Sequence, residues 1–335
     1  MIAHLKRTAH SLARIEITIA LAIAAGALAI WNAETGGGKG VWLAAPAAGM
    51  FVNLCAALLV NRTLSAQPAL FAFHMGLAAL ALALSADALT SFSGHVEVTE
   101  DTAFEPALVV GSARPFHANR LDRIRFRQKS FDIAYAPGMS RRDTKSSVEI
   151  PEGRSWRKVT VGDDTPLVFS PYRLYTSFNK GFAPVITYTD ARGVKHSGAV
   201  HLPSYPLNED RQGNVWTPPG SATPMAIWLR FDNPVYRTDA AWRFVKPADA
   251  RLIVIFNGAR HELEKGESVA LAGGVVRFEA VKTWMGYTIS ANPMAPLAAA
   301  AALASLLALL WHILRKLLTP LAGAPERAVA EFGHA

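Results

Sequence analysis

The chain has 335 residues, 51% of them hydrophobic, and 34 Lys and Arg against 26 Asp and Glu give a formal net charge of +8. Its one cysteine, Cys55, excludes a disulfide framework and a Cys-X-X-Cys pair, so the chain is not itself a thiol oxidoreductase. The hydrophobic average suits a soluble α/β enzyme as well as a membrane protein, and only the distribution along the chain separates the two.

That distribution is concentrated at the ends. Residues 1–14 read as a basic tail with Lys6, Arg7 and Arg14, and residues 15–31, "IEITIALAIAAGALAIW", as a first span. After the glycine-rich "NAETGGGKG", a second span covers 41–61, a polar link "NRTLSAQP" follows, and a third span covers 69–89. The fourth covers 294–316, with a tail at 317–335. Each approaches the ~20 residues that cross ~30 Å of hydrocarbon, whereas a buried soluble helix is usually shorter and carries a polar stripe. Lys and Arg are costly to translocate, and the short segments holding Arg62, Arg315, Lys316 and Arg327 join the N-terminal tail on one side. The loop between the first two spans has only Lys39 set against Glu34, so both termini are expected in the cytoplasm and residues 90–293 outside it. Trp31 and Trp42 flank the outer loop and Trp311 marks the inner end of the fourth span, as interfacial aromatics do. The first span reads as uncleaved, since no small-residue cleavage site clearly ends it.

Residues 90–293 have strand character. "RIRFRQKSFDIAY" alternates in part, "PVITYTDARGVKHSGAV" reads as two strands around a Gly turn, and "RLIVIFNGARHEL" sets Asn257-Gly258 between two apolar runs, a strong hairpin signal. "PLVFSPYRLYTSF", "MAIWLRF" and "GVVRFEAVKTWMGYTIS" are further strands. The expected fold class is an α+β membrane protein: four transmembrane helices, three N-terminal and one C-terminal, with a large extracytoplasmic β-rich sandwich or open barrel between the third and fourth.

The chain has no Walker A loop, no GxGxxG after a strand, no GxSxG and no HExxH. The histidines of the β-rich segment, His95, His117, His196, His201 and His261, are scattered, and each reads as an ordinary surface or hydrogen-bonded residue. A basic run from Arg114 to Lys129 reads either as a surface for anionic groups, such as lipid headgroups, haem propionates or an acidic partner, or as a charged strand edge that blocks pairing. Nucleic acid is not a partner expected on that side of a membrane.

Inside the third span stands His74. An ionisable side chain in a span is expensive and usually faces a bundle interior or a cavity. A neutral imidazole is cheaper to bury than a charge, and its free nitrogen is a natural axial ligand for haem iron. The residue is therefore either such a ligand or an imidazole hydrogen-bonded to a neighbouring helix. His312, beside Trp311 and three residues before Arg315, sits at a snorkelling interfacial position, yet at a depth similar to that of His74, so two ligands from one chain are geometrically possible. Apart from these two and Glu16, the spans offer few polar groups, which ranks a transporter or channel last. Cys55 reads as a packing residue.

Several stretches resemble the ResB-like (CcsB-type) membrane protein of System II cytochrome c biogenesis. "NLCAALLVNR" (53–62) is similar to that family's second-span ending, and "HMGL" (74–77) to its third-span opening. "FSGHVEVTEDTAF" is similar to the strand that leaves the membrane, and "DTKSSVEI", "VGDDTPLVFSPYRLYTSF" and "GYTISANPMAPLAAAAALASLL" also fit, in the family's order.

The resemblance implies a haem-handling subunit, at most a non-catalytic part of a haem lyase (cytochrome c synthetase), in the bacterial inner membrane with its large domain in the periplasm. It implies haem b in transit as cofactor, with His74 as intramembrane ligand to the haem iron and His312 as the weaker candidate. The implied partners are a CcsA/ResC-type haem-handling membrane protein bearing a tryptophan-rich motif, a thioredoxin-like apocytochrome reductant and apocytochrome c, besides membrane lipid. The eight Trp here are dispersed, so that motif belongs to the partner. The alternative is a membrane-anchored assembly or scaffold protein for a respiratory complex that binds no haem.

Overall fold

A computed structural model describes residues 2–36, 40–203, 212–232, 237 and 239–318; Lys39, Arg327 and the tail beyond 318 lie outside the described residues. The chain divides into two units, a helical one (Met1–Ser91, Arg114–His117 and Asn292–Ala335) and a β-rich one (Phe92–Ala113 and Ala118–Ala291).

The helical unit contains α1 (Ile2–Leu12), α2 (Ile15–Glu34), α3 (Ala44–Val60), α4 (Arg62–Ala66), α5 (Pro68–Thr90) and α6 (Ala295–Leu318). Among the described residues, four segments are long and apolar enough to cross a membrane: Ile15–Glu34, Gly40–Val60, Pro68–Thr90 and Ala295–Leu318. The segment expected as a tail is the helix α1. Its junction with α2 is pinned by the buried Asn53 of α3, whose Nδ2 donates to Leu12 O (2.6 Å) and Arg14 O (3.1 Å) while Oδ1 accepts from Thr18 Oγ1 (2.6 Å). Asn61 caps α4 by accepting from the Thr63 and Leu64 amides, and Pro68 opens α5, where a missing N–H costs nothing.

Small residues set the packing of α5. Gly76 lies against α6, and a Cβ there would collide with Ser305 Oγ and stand 3.1 Å from Ser305 N and 3.2 Å from Ala301 O. Between helices in lipid, close approach of small residues supplies the dispersion contacts that hydrophobic burial cannot. On another face, Ser85 Oγ donates to Ala44 O of α3 at 3.0 Å. The last carbonyls of a helix lack intrahelical partners, and here those of Leu89, Thr90 and Ser91 accept from Phe116 N, His117 Nδ1 and Arg114 N. The return segment Arg114–His117 thus caps α5.

In the β-rich unit, β1 (Phe92–Thr99), β2 (Val110–Ala113), β3 (Arg127–Ala136), β4 (Ser140–Glu152) and β5 (Ser155–Gly162) come first. Next come β6 (Leu167–Phe169), β7 (Tyr172–Asp190), β8 (Lys195–Ala199), β9 (Leu202–Pro203) and β10 (Gln212–Trp216). The last six are β11 (Met225–Arg230), β12 (Trp242–Arg243), β13 (Arg251–Phe256), β14 (Ala259–Leu263), β15 (Ser268–Leu271) and β16 (Gly274–Ala291). Among the described residues they form three sheets with antiparallel pairing. The largest runs β2-β1-β16-β7-β6, with β15 on β16 and β8 and β9 on β7; the others are β10-β11-β13-β14 and β12-β3-β4-β5.

The long strands β7 and β16 pair with register shifts between Phe278 and Ala280 and between Met285 and Tyr287. Such bulges bend and twist a strand, which lets one pair of strands serve two cores. Phe182, Ile186, Val276 and Phe278 enter one core with Met225 and Leu252, while Leu174, Met285, Tyr287 and Ile289 enter the other with Val96 and Phe126. At the joint, Gly181 is required: a Cβ would overlap Leu202 O, which accepts from Trp284 Nε1 at 3.2 Å. The expected turn at Asn257-Gly258 joins β13 to β14 with both residues at positive φ (49° and 79°), the geometry of a type I′ hairpin.

Candidate functional site

The residue of α5 singled out in the sequence, His74, lies in the first half of the helix. Its Nδ1 lies 2.8 Å from Leu70 O, one turn earlier on the same helix. A carbonyl can only accept, so Nδ1 carries the proton and Nε2 of the neutral ring keeps its lone pair. Phe73 packs edge-on against the imidazole with centroids 5.1 Å apart. By helical spacing His74 shares a face with Ala78, Ala81 and Ser85, the last of which bonds α3. The ring is half-buried. With Nδ1 engaged by Leu70 O, the nitrogen of this ring left for a metal or another partner is Nε2.

His312 sits elsewhere. It lines a recess of about 430 Å³ with Arg315, Lys316 and residues 66–69, at the start of α5, and His74 is not among the lining residues. Six residues separate Pro68 from His74, about 9 Å of helix rise. The expected similarity of depth therefore does not place both rings in one recess.

The histidines of the β-rich unit have varied settings. His201 Nδ1 lies 2.8 Å from Glu97 Oε2 and its Nε2 2.8 Å from Thr99 Oγ1, and the ring stacks on Trp284 at 4.8 Å. Both nitrogens are thereby used in holding β1 to the segment after β8. His196 lies in β8 and His261 in β14, on different sheets.

The basic run from Arg114 splits by register. Ile124 and Phe126 point into the core while Arg123 and Arg125 between and beside them are exposed. Arg127 stacks over Trp156 (4.8 Å), and Lys129 pairs with Asp101 at 2.6 Å. That hydrogen bond from Lys129 holds the Asp101 carboxyl below the usual range, against partial burial.

Sequence reasoning passed over Lys180. It is 4% exposed on β7 beside the bulge opposite Gly286, with Nζ donating to Phe178 O at 3.2 Å and lying 5.6 Å from the centre of the Tyr135 ring. Burial first, and then the Arg141 guanidinium, lower its pKa to about 8, with Asp163 opposing. The only signal was a lysine inside the apolar "SFNKGFAPV". Nearby, Gln128, Ser146 and Tyr287 form a buried cluster, and burial raises the Tyr287 phenol well above its ordinary value.

No curated protein matches the chain in sequence. The sequence profile of the ResB-like family, however, matches residues 65–315, from the end of α4 to Arg315 in the last turn of α6, and so takes in His74, the whole β-rich unit and most of the closing span. With that match over well more than half its length, the chain belongs to the ResB-like family, a family associated with cytochrome c biogenesis.

Proposed function

We propose that the protein is the haem-handling subunit of a System II cytochrome c synthetase, helping to deliver haem b across the inner membrane for attachment to Cys-X-X-Cys-His sites of apocytochrome c. The observation that carries this reading is the Nδ1 contact of His74 with Leu70 O, which leaves Nε2 as the lone-pair nitrogen in an apolar span. Haem, as cargo, supplies the vinyl groups that become thioethers. The chain's own part is to hold one side of the iron with His74 and to keep water from it with apolar helix. The second axial ligand then comes from a CcsA/ResC-type partner, and thiol reduction from a thioredoxin-like protein, since Cys55 stands alone. In this reading both termini are cytoplasmic and the β-rich unit is periplasmic. His312, beside Arg315 and Lys316, serves the membrane interface.

The test is an absorption spectrum of the detergent-purified complex, expressed with its partner, for wild type and His74→Ala, alongside the level of mature cytochrome c in cells. Expected is a reduced low-spin haem spectrum that disappears in the variant while the complex stays intact. His312→Ala leaves it nearly unchanged; a loss as large as for His74 would mean that the chain supplies both ligands. Normal cytochrome c levels in His74→Ala refute the role, and no haem in either form makes the protein a scaffold.

A further inference from the structure

The helical unit holds a second feature, independent of His74. A cavity of about 500 Å³ runs between α2, α3 and α5. Thr18, Ala25 and Asn32 line it at seven-residue intervals along α2, and Ala47 of α3 and Ala81 and Leu84 of α5 line its middle. Fourteen residues from Thr18 to Asn32 at 1.5 Å rise make it about 21 Å long. Spread over that length, the volume leaves a section of about 24 Å², against about 80 Å² for a helix ~10 Å across. The space admits one extended hydrocarbon chain and is too narrow for a helix.

Its two ends differ in chemistry. The body is apolar, but the end where α5 runs into β1 is lined by Asn32, Asp87 and Arg114. Asn32 Oδ1 and Asp87 Oδ1 are buried and have no hydrogen-bond partner within the protein. A buried acceptor without a partner costs about 1–3 kcal/mol, more for a charged group, so two at one end of one cavity call for a donor from outside the chain. Gly40 makes room for the arrangement: a Cβ there would stand 2.6 Å from Arg114 Nη2 and 3.4 Å from Asn32 Oδ1. Trp31 and Trp42, both exposed, mark the same end as the level of a membrane interface.

We propose that this cavity is a binding site for a single phospholipid of the phosphatidylethanolamine class. One acyl chain lies along α2, α3 and α5, the phosphate meets the Arg114 guanidinium, and the primary ammonium donates to Asp87 Oδ1 and Asn32 Oδ1. A zwitterionic headgroup matches a site that offers a cation and two acceptors side by side. A purely anionic headgroup has no donor of comparable strength for the two orphaned oxygens.

The experiment uses the full chain, reconstituted in nanodiscs of equal parts phosphatidylethanolamine and phosphatidylglycerol, released into mild detergent and weighed by native mass spectrometry. Wild type is expected to retain one lipid per chain, phosphatidylethanolamine over phosphatidylglycerol by about ten-fold, the equivalent of one charge-assisted hydrogen bond. Ala47→Phe fills the middle of the cavity and abolishes retention; Ala25→Phe, on the helix with no buried residues, does the same should the first variant fail to insert. Asp87→Asn keeps the lipid but levels the preference between headgroups. No retained lipid in wild type, a preference for phosphatidylglycerol, or equal retention in a correctly inserted Ala25→Phe overturns the proposal. Haem absorbance recorded on the same variants expressed with the haem-handling partner keeps the two sites apart: lipid lost with haem unchanged supports the assignment, and haem lost with lipid unchanged assigns the cavity to haem instead.

Discussion

Replacing Lys180 by Met tests whether a buried ammonium weakens the β-rich unit at neutral pH. The side chain is nearly inaccessible, and its pKa of about 8 lies well below that of a free lysine. In the unfolded chain the amine holds its proton up to ~10.4. Between about pH 8 and that value the unfolded state therefore binds a proton that the folded state has released, and stability must rise with pH across the window. Below it both states are protonated and the full penalty applies. Lowering the amine from its ordinary value to about 8 corresponds to on the order of 3 kcal/mol. Lys180→Met removes the penalty together with the hydrogen bond to Phe178 O, worth about 1 kcal/mol, and so should stabilise the unit by about 2 kcal/mol at pH 7. The assay is urea unfolding of the full chain in detergent, followed by tryptophan fluorescence at pH 7, 8, 9 and 9.5. The wild-type midpoint should climb from pH 8 to 9.5 and the variant's should not. A flat or falling wild-type midpoint, or a variant no more stable at pH 7, would show that Lys180 is solvated or paired well enough to carry its charge at no cost.

Tyr287 acts with the opposite sign. Its phenol is raised by burial, so above about pH 10 the unfolded chain loses a proton that the folded one keeps, and stability falls. Tyr287→Phe should remove that alkaline loss and cost about 1–3 kcal/mol at pH 7, read from the same urea midpoints; Gln128 and Ser146 remain bonded to each other at 3.0 Å and limit the damage. Gly76→Leu should lower the thermal midpoint of the purified protein and the fraction inserted, by an overpacking penalty of about 1–3 kcal/mol or more. Ser305→Gly should rescue it only in part, because Ser305 N and Ala301 O still crowd the new Cβ. Asn53→Leu strips partners from Leu12 O, Arg14 O and Thr18, and amide exchange at residues 12–15 should accelerate by at least roughly ten-fold, the equivalent of about 1.4 kcal/mol or one net hydrogen bond; unchanged exchange there would mean that α1 is held by other contacts.

What the sequence made legible followed from how local each cause is. The spans at Ile15–Glu34, Gly40–Val60, Pro68–Thr90 and Ala295–Leu318 rest on length and hydropathy, and the β13–β14 turn rests on two adjacent residues that tolerate positive φ. His74 stood out because its neighbours are all apolar, and the bond that fixes its tautomer is only four residues away. The clamp at His201 was not legible, since its partners Glu97 and Thr99 lie more than a hundred residues earlier in the chain. Nor was the environment of Lys180, because a single basic residue in a strand gives no hint whether a bulge will turn it inward. The cavity along α2 escaped for a different reason: when every face of a helix is apolar, periodicity no longer reports which face is covered. Asn53 could have been found, as the one amide in "MFVNLCAALLV", had its cost in a span been weighed as His74's was.

The constraints on α5 bear directly on the proposed role of His74. Gly76 seats one face of the helix against α6, Ser85 ties another to α3, and the three carbonyls at its end are held by Arg114–His117. A helix fixed on two faces and at one end cannot rotate to follow a ligand, so the direction of Nε2 is set before anything binds. Gly76 lies only two residues from His74, and a side chain there that pushed α6 away would turn the imidazole as well. A metal ligand benefits from such preorganisation because little orientational freedom is left to lose on binding. The recess that His312 lines does not include His74. Under the proposed function the second ligand must then be carried by another polypeptide, and haem retention should depend on that partner even when α5 is intact.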